Sequence, residues 1–197
     1  EKSAFWPLAG KADMIKEAVE FAVEAHKGAV RKGTRIPYIV HPLEAAVIVG
    51  SVTEDEELIA AAILHDVLED TDASEEEVRS RFGDRVADLV VKETDDKSRS
   101  WMERKSEKLR RVREGSRDLK IVVLGDKLSN IRSVARDYLT MGEALWDRFN
   151  DKRKEAQGWY YWSMAECLKE LAECEPYKEY VTLCGQVFGR KKKEWEI

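Results

Sequence analysis

The stretch at residues 55–70, DEELIAAAILHDVLED, decides the reading of the whole chain. Its centre, from Leu58 to Leu64, is apolar on nearly every side, which predicts a helix buried in the middle of a helical protein. The run closes on His65-Asp66, and Glu69-Asp70 follow. A carboxylate closing a buried apolar run is costly unless something cationic compensates it. If one helix spans 55–70, the offsets 65→69 and 66→70 are both i,i+4, which places Glu69 above His65 and Asp70 above Asp66. Three carboxylates and an imidazole at one helix end are hard to justify without a bound cation.

Outward from this stretch the helical period persists. Ile15, Ala18, Val19, Ala22, Ala25 and His26 mark a first amphipathic helix over 12–30. Gly33 and Pro37 make 31–40 a loop, and Pro42 opens a second helix that runs to Val49. Ser74 with Glu77 reads as a capping box for a short helix ended by Gly83, and a further helix covers 84–93. Helices are expected over 102–114 and 119–138, then a turn at Gly142. Two or three more helices, broken near Asn150 and Pro176, complete the chain. The residues from Ile121 to Leu124 favour a strand by propensity, but their surroundings keep the helical period. The expected fold is all-α: a single helical bundle over 1–197, with a core at about 12–140 and C-terminal helices at about 143–189.

Composition narrows the function. The length of 197 residues suits one domain, and 34 basic against 39 acidic residues leave a net charge of −5. A general nucleic-acid or membrane-surface binder needs a basic excess, so neither is expected. The longest uncharged apolar stretches fall far short of the roughly 18 residues of a membrane span, and no export signal is visible at the start, which is Glu1 rather than Met. Cys167, Cys174 and Cys184 show no metal or disulfide spacing and read as free thiols of a reducing, cytoplasmic compartment. Oligomeric state is left open.

Two other residues have chemistry that complements His65-Asp66. His41 sits at the loop-to-helix junction PYIVHP, residues 37–42, and Asp126 interrupts the apolar face of IVVLGDKLSN, residues 121–130. Taken singly, each has a plain structural reading. His65-Asp66 can be a helix-terminal pair, Asp126 can pair with Lys127 or Arg132, and His41 can bond a backbone carbonyl. Together His41, His65, Asp66 and Asp126 make a mixed nitrogen/oxygen set that suits a divalent ion such as Mn²⁺. Glu69 or Asp70 is then placed to orient water and take its proton. His26 reads as a core or supporting histidine, the cluster from Trp159 to Trp162 as packing aromatics, and the basic tail beside Trp195 as a solvated terminus.

The order AHKGAVRKG (25–33), PYIVHP (37–42), AAILHDVLEDT (61–71), FGDRV (82–86) and LGDKLSN (124–130) resembles the HD-domain hydrolases of RelA/SpoT homologues, in particular the small stand-alone alarmone hydrolases. The correspondence covers about 17–132. It implies an HD-domain enzyme that removes the 3′-pyrophosphate from (p)ppGpp with Mn²⁺, giving GDP or GTP and pyrophosphate. By position it implies His41, His65, Asp66 and Asp126 as metal ligands and Glu69 with Asp70 as the water-activating pair. It also implies Arg31 stacked on the guanine, Lys32 near the phosphates and Asn130 lining the nucleotide site. The small-molecule nucleotide is the only partner implied, and no length remains for a synthetase domain.

Departures from the family pattern are Gly125 and Ser129, where an alanine and a histidine or aromatic residue are usual, and a slightly longer segment at 31–37. Ser129 is expected to loosen the ribose or base pocket. Lys154 and Tyr161 are candidates for late basic and tyrosine contacts, in a register the sequence does not fix. Lys97, Arg104 and Lys105 are further candidates for attracting the substrate, but the favoured expectation for them is a solvated helix face. Two other functions remain open: the same metal site acting on another nucleotide phosphate such as NADPH or ppApp, and a nucleotide-sensing module without catalysis.

Overall fold

The axis of the computed structural model, which describes residues 12–190, is a 25-residue helix, Arg117–Met141. In chain order the helices are α1 (Ala12–Ala25), α2 (Val40–Gly50), α3 (Glu56–Leu64), α4 (Val67–Asp70), α5 (Glu75–Phe82), α6 (Asp84–Glu93), α7 (Trp101–Glu114), α8 (Arg117–Met141), α9 (Lys154–Cys167) and α10 (Glu175–Phe188). Short 3₁₀ segments at Gly142–Arg148 and Lys169–Leu171 link the last three. The described residues contain no β-strand, only an isolated bridge between Val30 and Pro37, so the fold is all-α. Val122, Val123 and Leu124 of the β-prone run are fully or almost fully buried inside α8.

Burial of the apolar run sets the architecture. Ala60, Ala61, Ala62, Ile63 and Leu64 on α3 are at most 1% exposed, because α1, α2, α6 and α8 surround that helix. α8 packs against α2 on one side and α10 on another. Gly125 makes the α2 contact possible: a Cβ there would lie 2.7 Å from Val49 Cγ2 and 2.8 Å from the Ala45 carbonyl oxygen. One apolar cluster runs from Ala18 of α1 to Val187 of α10, joining the C-terminal helices to the rest.

Local sequence explains where the elements depart from expectation. α1 stops at Ala25 rather than at 30, since Gly28 turns the chain at a φ of +78°. Ser74 caps α5 by accepting from the Glu77 amide at 3.1 Å, but the box is not reciprocal, and the Glu77 carboxylate lies toward Arg81 at 3.9 Å. The reciprocal box is at Ser100 and Glu103, which open α7. Pro176 does not break a helix; it occupies the first turn of α10, where its missing N–H costs nothing. No helix among the described residues is long and apolar enough to cross a membrane. The tail around Trp195 lies outside the described residues.

Candidate metal centre and nucleotide cleft

The helix expected over 55–70 is interrupted at its functional point. α3 ends at Leu64, the chain turns at His65-Asp66, and α4 begins at Val67. The Ala62 carbonyl, which a continuing helix offers to the amide of residue 66, accepts the His65 Nδ1–H at 2.7 Å. The Glu69 and Asp70 amides both return to the Asp66 carbonyl, at 3.2 and 2.9 Å. Glu69 therefore does not stack above His65 along a single helix. The turn leaves Asp66, Glu69 and Asp70 facing one cleft with His41 and Asp126, while His65 is buried beside His41.

Four donor atoms meet there. The Nε2 atoms of His41 and His65 are 3.2 Å apart. Asp126 Oδ1 lies 3.2 Å from the first and 3.6 Å from the second, and Asp66 Oδ2 lies 3.6 and 3.0 Å from them. His41, His65 and Asp126 form the tightest group, with ligand atoms all within 4.8 Å of one another. Four atoms about 2.1 Å from one ion are separated by roughly 3–3.4 Å from their neighbours. Because the His65 Nδ1–H is spent on a carbonyl, its Nε2 faces the other donors, the usual orientation of a metal-ligating imidazole. The donor set fits a divalent ion. Its electrostatics agree: burial disfavours a charged His65, yet Asp66 and Asp126 outweigh it and hold the His65 pKa well above its ordinary value. Burial works against both carboxylates too, but Lys127 and His65 for Asp126, and His65 for Asp66, keep them ionised.

The water-activating candidates occupy the rim. Glu69 Oε2 accepts the Asp95 amide at 2.9 Å, while Asp70 accepts Lys97 Nζ at 2.7 Å and faces the Tyr38 hydroxyl at 3.2 Å. Burial raises the Glu69 pKa, only partly offset by the Asp95 amide. Tyr38 OH also donates to Asp66 Oδ2 at 2.5 Å, which ties a ligand carboxylate to the PYIVHP segment.

Nucleotide-side candidates converge as well. Arg31 Nη2 donates to Asn130 Oδ1 at 2.8 Å, and Asn130 Nδ2 donates to Asp126 Oδ1 at 2.5 Å. Lys32 Nζ reaches Asn150 at 3.0 Å. Beside the metal cleft lies a recess of about 250 Å³ lined by Arg31, Lys32, Tyr38, Asn130 and Tyr161. A second, of about 230 Å³, is lined by Lys32, Arg104, Lys105, Lys127 and Tyr160. Asn130 borders all three.

Several residues lie elsewhere than expected. Lys105 is not on a solvated face: it bonds Asp95 at 3.0 Å, sits 5.1 Å from the Tyr160 ring centre, and burial lowers its pKa. Arg104 lines the second recess and keeps a buried Nε without a hydrogen-bond partner, and Lys97 pairs with Asp70 at 2.7 Å. Alternating charge along α7 hid this, since one face of it is solvated and the other lines the cleft. Ser129 is fully buried, bonds His41 Nδ1 at 2.8 Å and borders the recess that Arg31 and Asn130 line. Lys154 serves the fold, bonding Tyr138 and Glu143. His26 is buried against Tyr38, with ring centres 4.7 Å apart. In the aromatic cluster Trp159 and Tyr160 pack on Trp101, and Tyr161 on Tyr180 and Phe188. The sequence reading missed Tyr38 and Lys127; Tyr38 stood inside the PYIVHP motif and could have been drawn from it.

An all-α fold that presents two histidines and two aspartates to one point is an HD-type phosphohydrolase architecture, and the HD domain family model matches residues 18–147: the chain belongs to the HD domain family. Within it, the chain is 41% identical over 133 residues to the guanosine-3′,5′-bis(diphosphate) 3′-pyrophosphohydrolase MESH1 of Xenopus tropicalis, spanning 66% of this chain and 74% of that protein. The Homo sapiens MESH1 is 38% identical over the same coverage. A solved structure described as a metazoan ortholog of SpoT that hydrolyzes ppGpp superposes with a TM-score of 0.73 at 28% identity, over 93% of this chain and 97% of that one.

Proposed function

We propose that the protein is a metal-dependent hydrolase that removes the 3′-pyrophosphate from (p)ppGpp, giving GDP or GTP and pyrophosphate. The observation that carries the reading is that the ring nitrogens of His41 and His65 lie 3.0–3.6 Å from carboxylate oxygens of Asp66 and Asp126, beside a recess lined by Arg31, Lys32 and Asn130. The similarity to the MESH1 pyrophosphohydrolases supports the choice of substrate. The apolar cluster common to all the helices supports one domain, and three free thiols suit a reducing cytoplasm.

His41, His65, Asp66 and Asp126 would hold the ion, and the nitrogen/oxygen set favours Mn²⁺ over a thiolate-seeking metal. A divalent ion supplies Lewis acidity, charge screening and hydroxide near neutral pH. Glu69 or Asp70 orients the attacking water and takes its proton. Arg31 lays its flat guanidinium on the guanine, and its hydrogen bond to Asn130 restrains where that guanidinium sits. Lys32, Lys105 and Lys127 present positive charge to the phosphates, a local basic patch on a chain of net charge −5.

The test is to strip the protein with chelator, restore Mn²⁺, and offer ppGpp, ppApp, NADPH and mononucleotides while assaying pyrophosphate and phosphate separately. The expected result is pyrophosphate from ppGpp, absent in chelator and absent in Asp66→Ala. Phosphate from NADPH with no pyrophosphate from ppGpp overturns the substrate assignment.

A further inference from the structure

We propose that Ser129 and Glu44 form a positioning relay that fixes His41 as a metal ligand. His41 Nδ1 lies 2.8 Å from Ser129 Oγ, and Ser129 Oγ donates to Glu44 Oε2 at 2.7 Å. The assignment of protons is a matter of counting. A serine hydroxyl carries one proton, and an ionised carboxylate only accepts. The Glu44 carboxylate is paired to Arg132 at 3.1 Å, so the Ser129 proton goes to Glu44 and the Ser129 oxygen is left to accept from His41. His41 then carries its proton on Nδ1 and turns the Nε2 lone pair toward His65 and Asp126.

The relay is anchored on three helices. Glu44 shares α2 with His41, Ser129 and Arg132 belong to α8, and Arg132 forks onto Glu179 of α10 at 2.6 and 2.7 Å. Without Ser129 the imidazole can flip or take the other tautomer, which aims an N–H at the metal position and removes a ligand. Outer partners of this kind commonly change metal affinity by about 10–100-fold. The inference rests on the metal-centre reading and on no particular substrate.

The experiment measures Mn²⁺ affinity of the chelator-stripped full chain by the electron paramagnetic resonance signal of free ion. It compares wild type, Ser129→Ala, Glu44→Ala and the double variant, with metal-free melting recorded for each. Ser129→Ala is expected to weaken binding about 10–100-fold. Glu44→Ala, at a half-buried position that tolerates truncation, is expected to weaken it too, and the double variant to lose no more than Ser129→Ala alone. In the Zn²⁺-loaded protein the ¹H–¹⁵N spectrum is expected to show a His41 Nδ1–H that Ser129→Ala loses, a signature that a packing role alone does not produce. Wild-type affinity in Ser129→Ala, or fully additive losses in the double variant, overturns the relay alone. A wild-type chain that takes up no divalent ion overturns the metal-centre reading and the relay with it.

Discussion

Arg31 and Asn130, 99 positions apart in the chain, share a hydrogen bond of 2.8 Å across the mouth of the cleft. Arg31 belongs to the loop after α1, and Asn130 sits one turn beyond Asp126 on α8, whose carboxylate it also contacts. The pair links the place where a base would stack to the place where an ion would sit. Arg31 Cζ also lies 5.7 Å from the Tyr38 ring centre, a cation–π contact that adds to the Asn130 bond in restraining the side chain.

If Arg31 mainly binds the base, Arg31→Ala raises KM for ppGpp about 10-fold, the scale of a stacking contact of ~1–2 kcal/mol, and leaves kcat within a factor of about three. Arg31→Lys does not restore KM, because an ammonium lacks the planar face. Steady-state kinetics over a substrate range decide it. A fall in kcat at unchanged KM contradicts the role.

Glu69 gives an expectation with a sign. Burial raises its pKa, so as the proton acceptor it loses activity when pH falls through a point above the ordinary glutamate value. Glu69→Gln is expected to cost about 10²–10⁴ in kcat and to remove that acid limb. The linkage runs the other way for stability. A carboxyl whose folded pKa is raised penalises folding above its unfolded pKa, so metal-free Glu69→Gln melts higher than wild type at neutral pH and equal to it in acid. Melting curves at both pH values check this.

Asp95 shows the opposite shift. Burial acts against its charge, but Lys108 and Lys105 outweigh it and hold its pKa below the ordinary value. Its carboxylate bonds Lys105 and Arg111, each at 3.0 Å. The stabilisation is present above the unfolded pKa of about 3.9 and fades as pH falls through the lower folded value. Asp95→Asn should cost ~3–5 kcal/mol at pH 7 by stranding buried cations. The gap to wild type should narrow steadily in denaturant titrations as pH falls below the unfolded pKa. A gap that persists unchanged in acid rules the ion pairs out as its cause.

Gly125 is the steric prediction. Its Cβ would meet both Val49 and the Ala45 carbonyl, so Gly125→Ala should destabilise by ~1–3 kcal/mol despite the better helix propensity of alanine. Adding Val49→Ala should recover only part of this, because the Ala45 oxygen is backbone and cannot step aside. Thermal melts of the single and double variants test it.

Much of the site was legible because its donors have unusual chemistry for their surroundings. Asp126 between Leu124 and Leu128, and His65-Asp66 after an apolar run, each break a pattern that packing alone would keep. Helices such as α6 were legible for the converse reason, since Val86, Leu89 and Val90 keep a clean period. What the sequence hid depends on distant chain segments. The stop at Leu64 comes from a histidine side chain competing for a carbonyl, an event no propensity encodes. The inward turn of Lys105 depends on Asp95 and Tyr160, which approach from a loop and from α9. The role of Ser129 requires knowing that α2 lies against α8.

The interruption between Leu64 and Val67 also constrains how this protein can change over time. The turn after α3 carries His65-Asp66 and the short α4 carries Glu69-Asp70, and each residue added to or taken from a helical turn swings the side chains beyond it by about 100°. The spacing from 65 to 70 is therefore set by the site: one residue more or fewer there would turn Glu69-Asp70 away from the cleft that Asp66 faces.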